Sequence, residues 1–129
     1  METRYIDVDK KWGIVIIYDF NVEEEQDELE AIMQSFGMSI RNSEKSLRIL
    51  STFNSGMAVS DTILKMSAIF IGDATSNAQW WSTIAHELHH VATTITDYYG
   101  EPYYKEGSAY LHGYLFQRIV EEIAVPCAE

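Results

Sequence analysis

The stretch AQWWSTIAHELHHVATTITD, residues 78–97, decides how this chain folds. Trp81, Ile84, Leu88, Val91 and Ile95 recur at three- and four-residue steps, the repeat of one face of an α-helix. The spacing therefore predicts a helix from Ala78 to about Asp97, with that stripe turned to the core. Ser76 or Asn77 is its expected N-cap, because a short polar side chain can accept one of the unpaired backbone N–H groups there. Gly100 and Pro102 should end the helix and redirect the chain.

Working outward, a last helix is expected from about Glu106 to Ile123, with Leu111, Leu115, Ile119 and Ile123 as its apolar stripe. Upstream, Met57–Asp61 and Met66–Gly72 read as two strands joined by a short turn. Ser43–Phe53 is consistent with a short helix around Leu47 and Leu50. Asn21, with Glu24 three residues on, looks like a capping box for a helix carrying Leu29, Ile32, Met33 and Phe36. The run WGIVIIY, residues 12–18, is β-branched and apolar throughout, as in a strand covered on both faces. The order is strand, helix, two strands, then two helices packed on each other: an α+β layout.

The chain has 129 residues, 47% of them hydrophobic and 22% charged, which suits one globular domain spanning residues 1–129. Lys plus Arg number 9 against 20 Asp plus Glu, a net charge of −11. That balance repels phosphate backbones and anionic lipid surfaces, so no nucleic-acid or membrane partner is expected. Cys127 is the single cysteine, so no internal disulfide can form. With no basic start followed by an apolar run and no long apolar span, the expected compartment is cytoplasmic.

The chemistry is concentrated in His86-Glu87-Leu88-His89-His90, which satisfies H-E-x-x-H. On a helix, His86 and His90 stand one turn apart on the same side, so both imidazoles can reach one ion. At 100° per residue they fall roughly opposite the apolar stripe. Glu87 is placed on the flank of that polar face, in reach of a metal-bound water.

Zinc in a catalytic site takes three protein ligands. Asp97 lies two turns beyond His90, too far to close the site. Glu101 belongs to the turn around Pro102, and Glu106 opens the last helix. Ala109 and Gly113 follow Glu106 on the same helical face, and such small residues would let the two helices approach closely. His112 lies about 120° round from Glu106 and is read as a packed or interfacial histidine. Glu106 is the expected third ligand, with Glu101 next. His89 is read as a surface residue, with replacement of His90 opposite His86 as the alternative.

His86-Glu87-Leu88-His89-His90, followed by Glu106-Gly107-Ser108-Ala109, resembles the gluzincin branch of zinc metallopeptidases, minimal zincin-like proteins of phages and mobile elements, and the ImmA/IrrE-type peptidases. The resemblance covers about Met57–Ile123. It departs at His89, where the ImmA/IrrE pattern usually has Gly, and at Tyr110, where many gluzincins have Asp. It implies a small zincin-like domain that binds Zn²⁺ through His86, His90 and Glu106, with Glu87 as general base in hydrolysis of a peptide bond. Tyr98, Tyr99, Tyr103 or Tyr104 would assist the developing oxyanion. A protein or peptide substrate would pair with the strand 68–72, taken as a sheet edge. A different class of function is a zincin-fold binding or assembly protein whose zinc is structural. A third is a metal-free interaction domain. Retention of Glu87 favours the enzyme.

Overall fold

A computed structural model describes residues 1–100 and 107–123. Eight elements follow one another: β1 (Glu2–Val8), β2 (Trp12–Tyr18), α1 (Gln26–Ser35), α2 (Ile40–Leu50), β3 (Gly56–Asp61), β4 (Met66–Ile71), α3 (Asn77–Tyr98) and α4 (Gly107–Glu122). The architecture is α+β. The strands form one mixed sheet in the order β1-β2-β4-β3, with β2 and β4 parallel and both outer pairings antiparallel.

The period-two alternation of the central strands builds two cores. On one face, Ile14 and Ile16 of β2 and Ile69 and Ile71 of β4 meet Trp80, Ile84, Leu88 and Val91 of α3 and Leu115 and Ile119 of α4. On the other, Ile17, Ala68 and Phe70 meet Leu29 and Met33 of α1 and Leu47 and Leu50 of α2. The sheet is thus sandwiched, which is why WGIVIIY is apolar without alternation.

β1 is an element that the sequence does not announce. Only Ile6 and Val8 of it are buried, so no alternating run marks it. Its hairpin to β2 turns through Asp9 and Lys10, both at positive φ (52° and 60°), as a type I′ turn requires. Lys11 N–H closes that turn on the Val8 carbonyl at 2.9 Å. Asp-Lys does this work where Asn-Gly would have signalled it.

The capping groups mostly behave as their chemistry dictates. Ser76 caps α3 by accepting the Gln79 N–H at 3.1 Å, and Ser39 caps α2 by accepting the Asn42 N–H at 3.1 Å. α2 lies a few residues before the expected 43–53. Asn21 accepts the Glu24 N–H at 2.9 Å, but the reciprocal acceptor for its own N–H is Glu25, at 3.1 Å. This exchange closes a separate turn, and α1 begins only at Gln26.

Three expectations are corrected here. β4, the strand at 68–72, is paired with β2 on one side and β3 on the other. Its backbone groups are spent within the sheet, and among the described residues the edge strands are β1 and β3. Trp80, 2% exposed, is the core tryptophan of α3, whereas Trp81 is half-buried against Phe116, ring centroids 5.6 Å apart. Ala109 and Gly113 lie on the exposed side of α4; Ser108, Leu115 and Ile119 are its buried residues. The larger residues face α3 because an apolar stripe gains most from burial there.

Candidate metal centre

α3 presents its H-E-x-x-H segment across two environments. His86 and His90 project to solvent from consecutive turns, and their Nε2 atoms lie 3.3 Å apart. Two nitrogens at about 2.05 Å from one tetrahedral zinc would be about 3.3 Å apart. The rings stand edge to face with centroids 4.9 Å apart. The pair therefore already has the spacing of two ligands on one ion.

Glu87 departs from its expected place. It lies on the buried side of α3, 6% exposed, rather than on the polar flank. Its neighbour is the start of β3, where Gly56 lets the helix settle on the sheet edge. A Cβ at position 56 would stand 3.2 Å from Glu87 Cγ and only 2.6 Å from Thr83 Cγ2. From this seat Glu87 Oε1 still reaches within 3.9 Å of His86 Nε2. Burial raises the Glu87 pKa above the ordinary carboxylate value, and the nearby His86 and His90 pull it back in part.

His86, Glu87 and His90 bring one ligand atom each to within 4.8 Å of one another, so this group can hold a metal ion. It is the one such group of His, Cys, Asp or Glu among the described residues. Beside it opens a cleft of ≈ 330 Å³ lined by Asn54, Ser55, Gly56, Gln79, Ser82, Thr83, His86 and Glu87. The polar wall from residues 54 to 56 was not legible in the sequence. Its signal was weak: Asn54 takes positive φ (60°) and locks the corner by accepting the Thr75 N–H at 2.9 Å.

The remaining site candidates fall into three groups. Tyr98 and Tyr99 sit about 12 Å or more along the helix axis from His90 and serve the far end of α3. Tyr98 packs edge-on against Trp12, and Tyr99 donates its hydroxyl to the Lys11 carbonyl at 3.0 Å. Neither is at the histidine pair. Asp97 is exposed at that same distant end. Glu101, Tyr103, Tyr104, Glu106 and Cys127 lie outside the described residues.

His89 and His112 complete the array. His112 crosses from α4 toward α3, where its ring is 6.1 Å from that of His89. Partial burial is the main cause that lowers the His112 pKa; His89 adds to it and the Ala85 carbonyl opposes it. No helix among the described residues is long and apolar enough to cross a membrane. Comparison of the chain with protein-family models, curated proteins and solved structures gives no match, so the residues themselves carry the functional reading.

Proposed function

We propose that the protein is a zincin-like zinc metallopeptidase, with Zn²⁺ held by His86, His90 and Glu106. The observation that carries this reading is the 3.3 Å separation of His86 and His90 Nε2 beside a buried Glu87. Zinc, when bound, supplies Lewis acidity, making a water acidic near neutrality and polarising a carbonyl. Glu87 is the proton carrier: its raised pKa brings it nearer the operating pH, where a general base works best. Its close seat beside Gly56 restricts the side chain, which lowers the entropy cost of placing the carboxylate for proton transfer.

The substrate strand is reassigned from β4 to β3, the free edge that borders the cleft. A peptide adding to that edge would gain main-chain hydrogen bonds with little sequence preference. Its scissile bond would then lie in the cleft that His86 and Glu87 line.

The test has two parts. Elemental analysis of untagged protein should give about one zinc per chain at this site, abolished by His86→Ala with His90→Ala. A peptide-library digest should show cleavage by the wild type and none by Glu87→Gln that still holds zinc. Zinc without cleavage would favour the alternative, a binding or assembly protein with a structural ion. Equilibrium dialysis should show Glu106→Ala weakening zinc more than Glu101→Ala; the reverse order would move the third ligand to Glu101.

A further inference from the structure

A groove opens on the face of the sheet opposite α3, between α1 and α2. It has a volume of ≈ 410 Å³ and is walled by Val22, Glu23 and Glu30 on one side and by Glu44, Leu47 and Ser51 on the other. Past Ser51 it continues into a hollow of ≈ 230 Å³ that shares Val22, Glu23 and Ser51 with it. The floor is apolar: Phe20, Leu47 and Leu50 are each at most 6% exposed. Phe53, 69% exposed, adds apolar surface at the mouth of the hollow without closing it.

The rim has one sign of charge. Glu23, Glu30, Glu44 and Asp73 line it, and Arg48 is the one cation among the lining residues. Residues 23–30 read EEEQDELE, six carboxylates in eight positions. Of these six, Glu25 alone is in an ion pair among the described residues, with the N-terminal ammonium at 3.4 Å. An apolar floor between uncompensated carboxylates favours a ligand that is apolar in the middle and cationic at its edges.

We infer that this groove is a docking surface for an amphipathic helix of a partner protein, with Lys and Arg flanking its apolar stripe. Gln26 and Glu30 of α1 face Glu44 and Arg48 of α2 at steps of one turn, so the groove follows the helices for about two turns. Its α1 and α2 walls spend their main-chain groups on their own hydrogen bonds and offer no strand edge to an extended peptide. A helix brings its backbone already satisfied and needs only a side-chain fit. Its stripe would lie over Leu47 and Leu50, with its cations reaching Glu23 and Glu30 on one wall and Glu44 on the other. A second copy of this chain, at net charge −11, is disfavoured by repulsion. Neither zinc nor hydrolysis enters, because α3 with His86 and Glu87 packs on the other face of the sheet.

The test uses the full-length protein in chelator and a labelled synthetic peptide of about 14 residues, with Leu and Phe at helical spacing and Lys elsewhere. Fluorescence anisotropy at about 150 mM salt should show binding. The same residues in scrambled order, or Glu in place of Lys, should bind at least about tenfold more weakly. Glu23→Lys/Glu44→Lys should weaken binding about tenfold or more. Asp97→Lys/Glu121→Lys makes the same change in net charge on the other face and should have a much smaller effect. Ser51→Tyr adds bulk to the groove without charge and should also weaken binding about tenfold. No binding of the amphipathic peptide would overturn the inference, as would equal binding of the scrambled one. Equal losses in the two charge-reversed variants would reduce the attraction to net charge and overturn it too. So would unchanged binding by Ser51→Tyr, or a dimer that Ser51→Tyr dissociates, which would make the occupant a second copy.

Discussion

Gly56 and Glu87 are in such close contact that a Cβ at position 56 would stand 3.2 Å from Glu87 Cγ. An edge strand and a helix meet there with the Thr83 and Glu87 side chains set directly against the Gly56 backbone. The contact fixes how deeply Glu87 sits and joins the candidate metal centre to the free sheet edge.

Gly56→Ala should therefore destabilise the fold by about 1–3 kcal/mol, the usual cost of overpacking. The nearest obstacle is Thr83 Cγ2, at 2.6 Å, so Thr83→Ala should recover part of the loss. A double-mutant cycle by urea denaturation measures this. Strict additivity of the two changes would contradict the proposed contact.

Glu87→Gln should stabilise the metal-free protein at neutral pH. The folded-state pKa of Glu87 is raised above 4.5 by burial, so folding favours the protonated acid. That stabilisation is fully present below the unfolded pKa and is lost as pH rises through the folded value. The advantage of Glu87→Gln over wild type, measured in chelator, should accordingly be absent near pH 4 and grow with pH to a plateau. A constant difference across that range would refute the burial argument.

His112 should give the opposite slope. Its pKa is lowered below 6.5 in the fold, so the unfolded chain takes up the proton first. Its contribution is complete above about pH 6.5 and is lost as pH falls toward the folded value. Denaturation midpoints of metal-free wild type and His112→Asn should converge as pH drops through that window. Parallel curves would show that His112 does not titrate abnormally.

The two adjacent tryptophans should separate sharply. Trp80, 2% exposed, packs edge-on against Tyr18 with centroids 5.9 Å apart, and Trp80→Ala should cost about 3–5 kcal/mol. Trp81 is half-buried, so Trp81→Ala should cost clearly less. Equal losses on denaturation would mean that both rings carry the core.

The amino-acid order determined the helix carrying His86, Glu87 and His90, its Ser76 cap, the doubly covered β2 and the α+β class. Those features are set by local periodicity, by capping chemistry and by apolar runs that have only one low-energy use. Tertiary structure decided what depends on pairing between distant segments. It placed β4 inside the sheet and β3 at the edge, because either strand is apolar enough for both positions. It turned Trp80 inward instead of Trp81, since a stripe wide enough for either leaves the choice to what the sheet presents. It buried Glu87 because Gly56, thirty-one residues earlier in the chain, leaves the space that admits it. His89 and His112 met because α4 packs antiparallel on α3, and no spacing within either segment encodes that register.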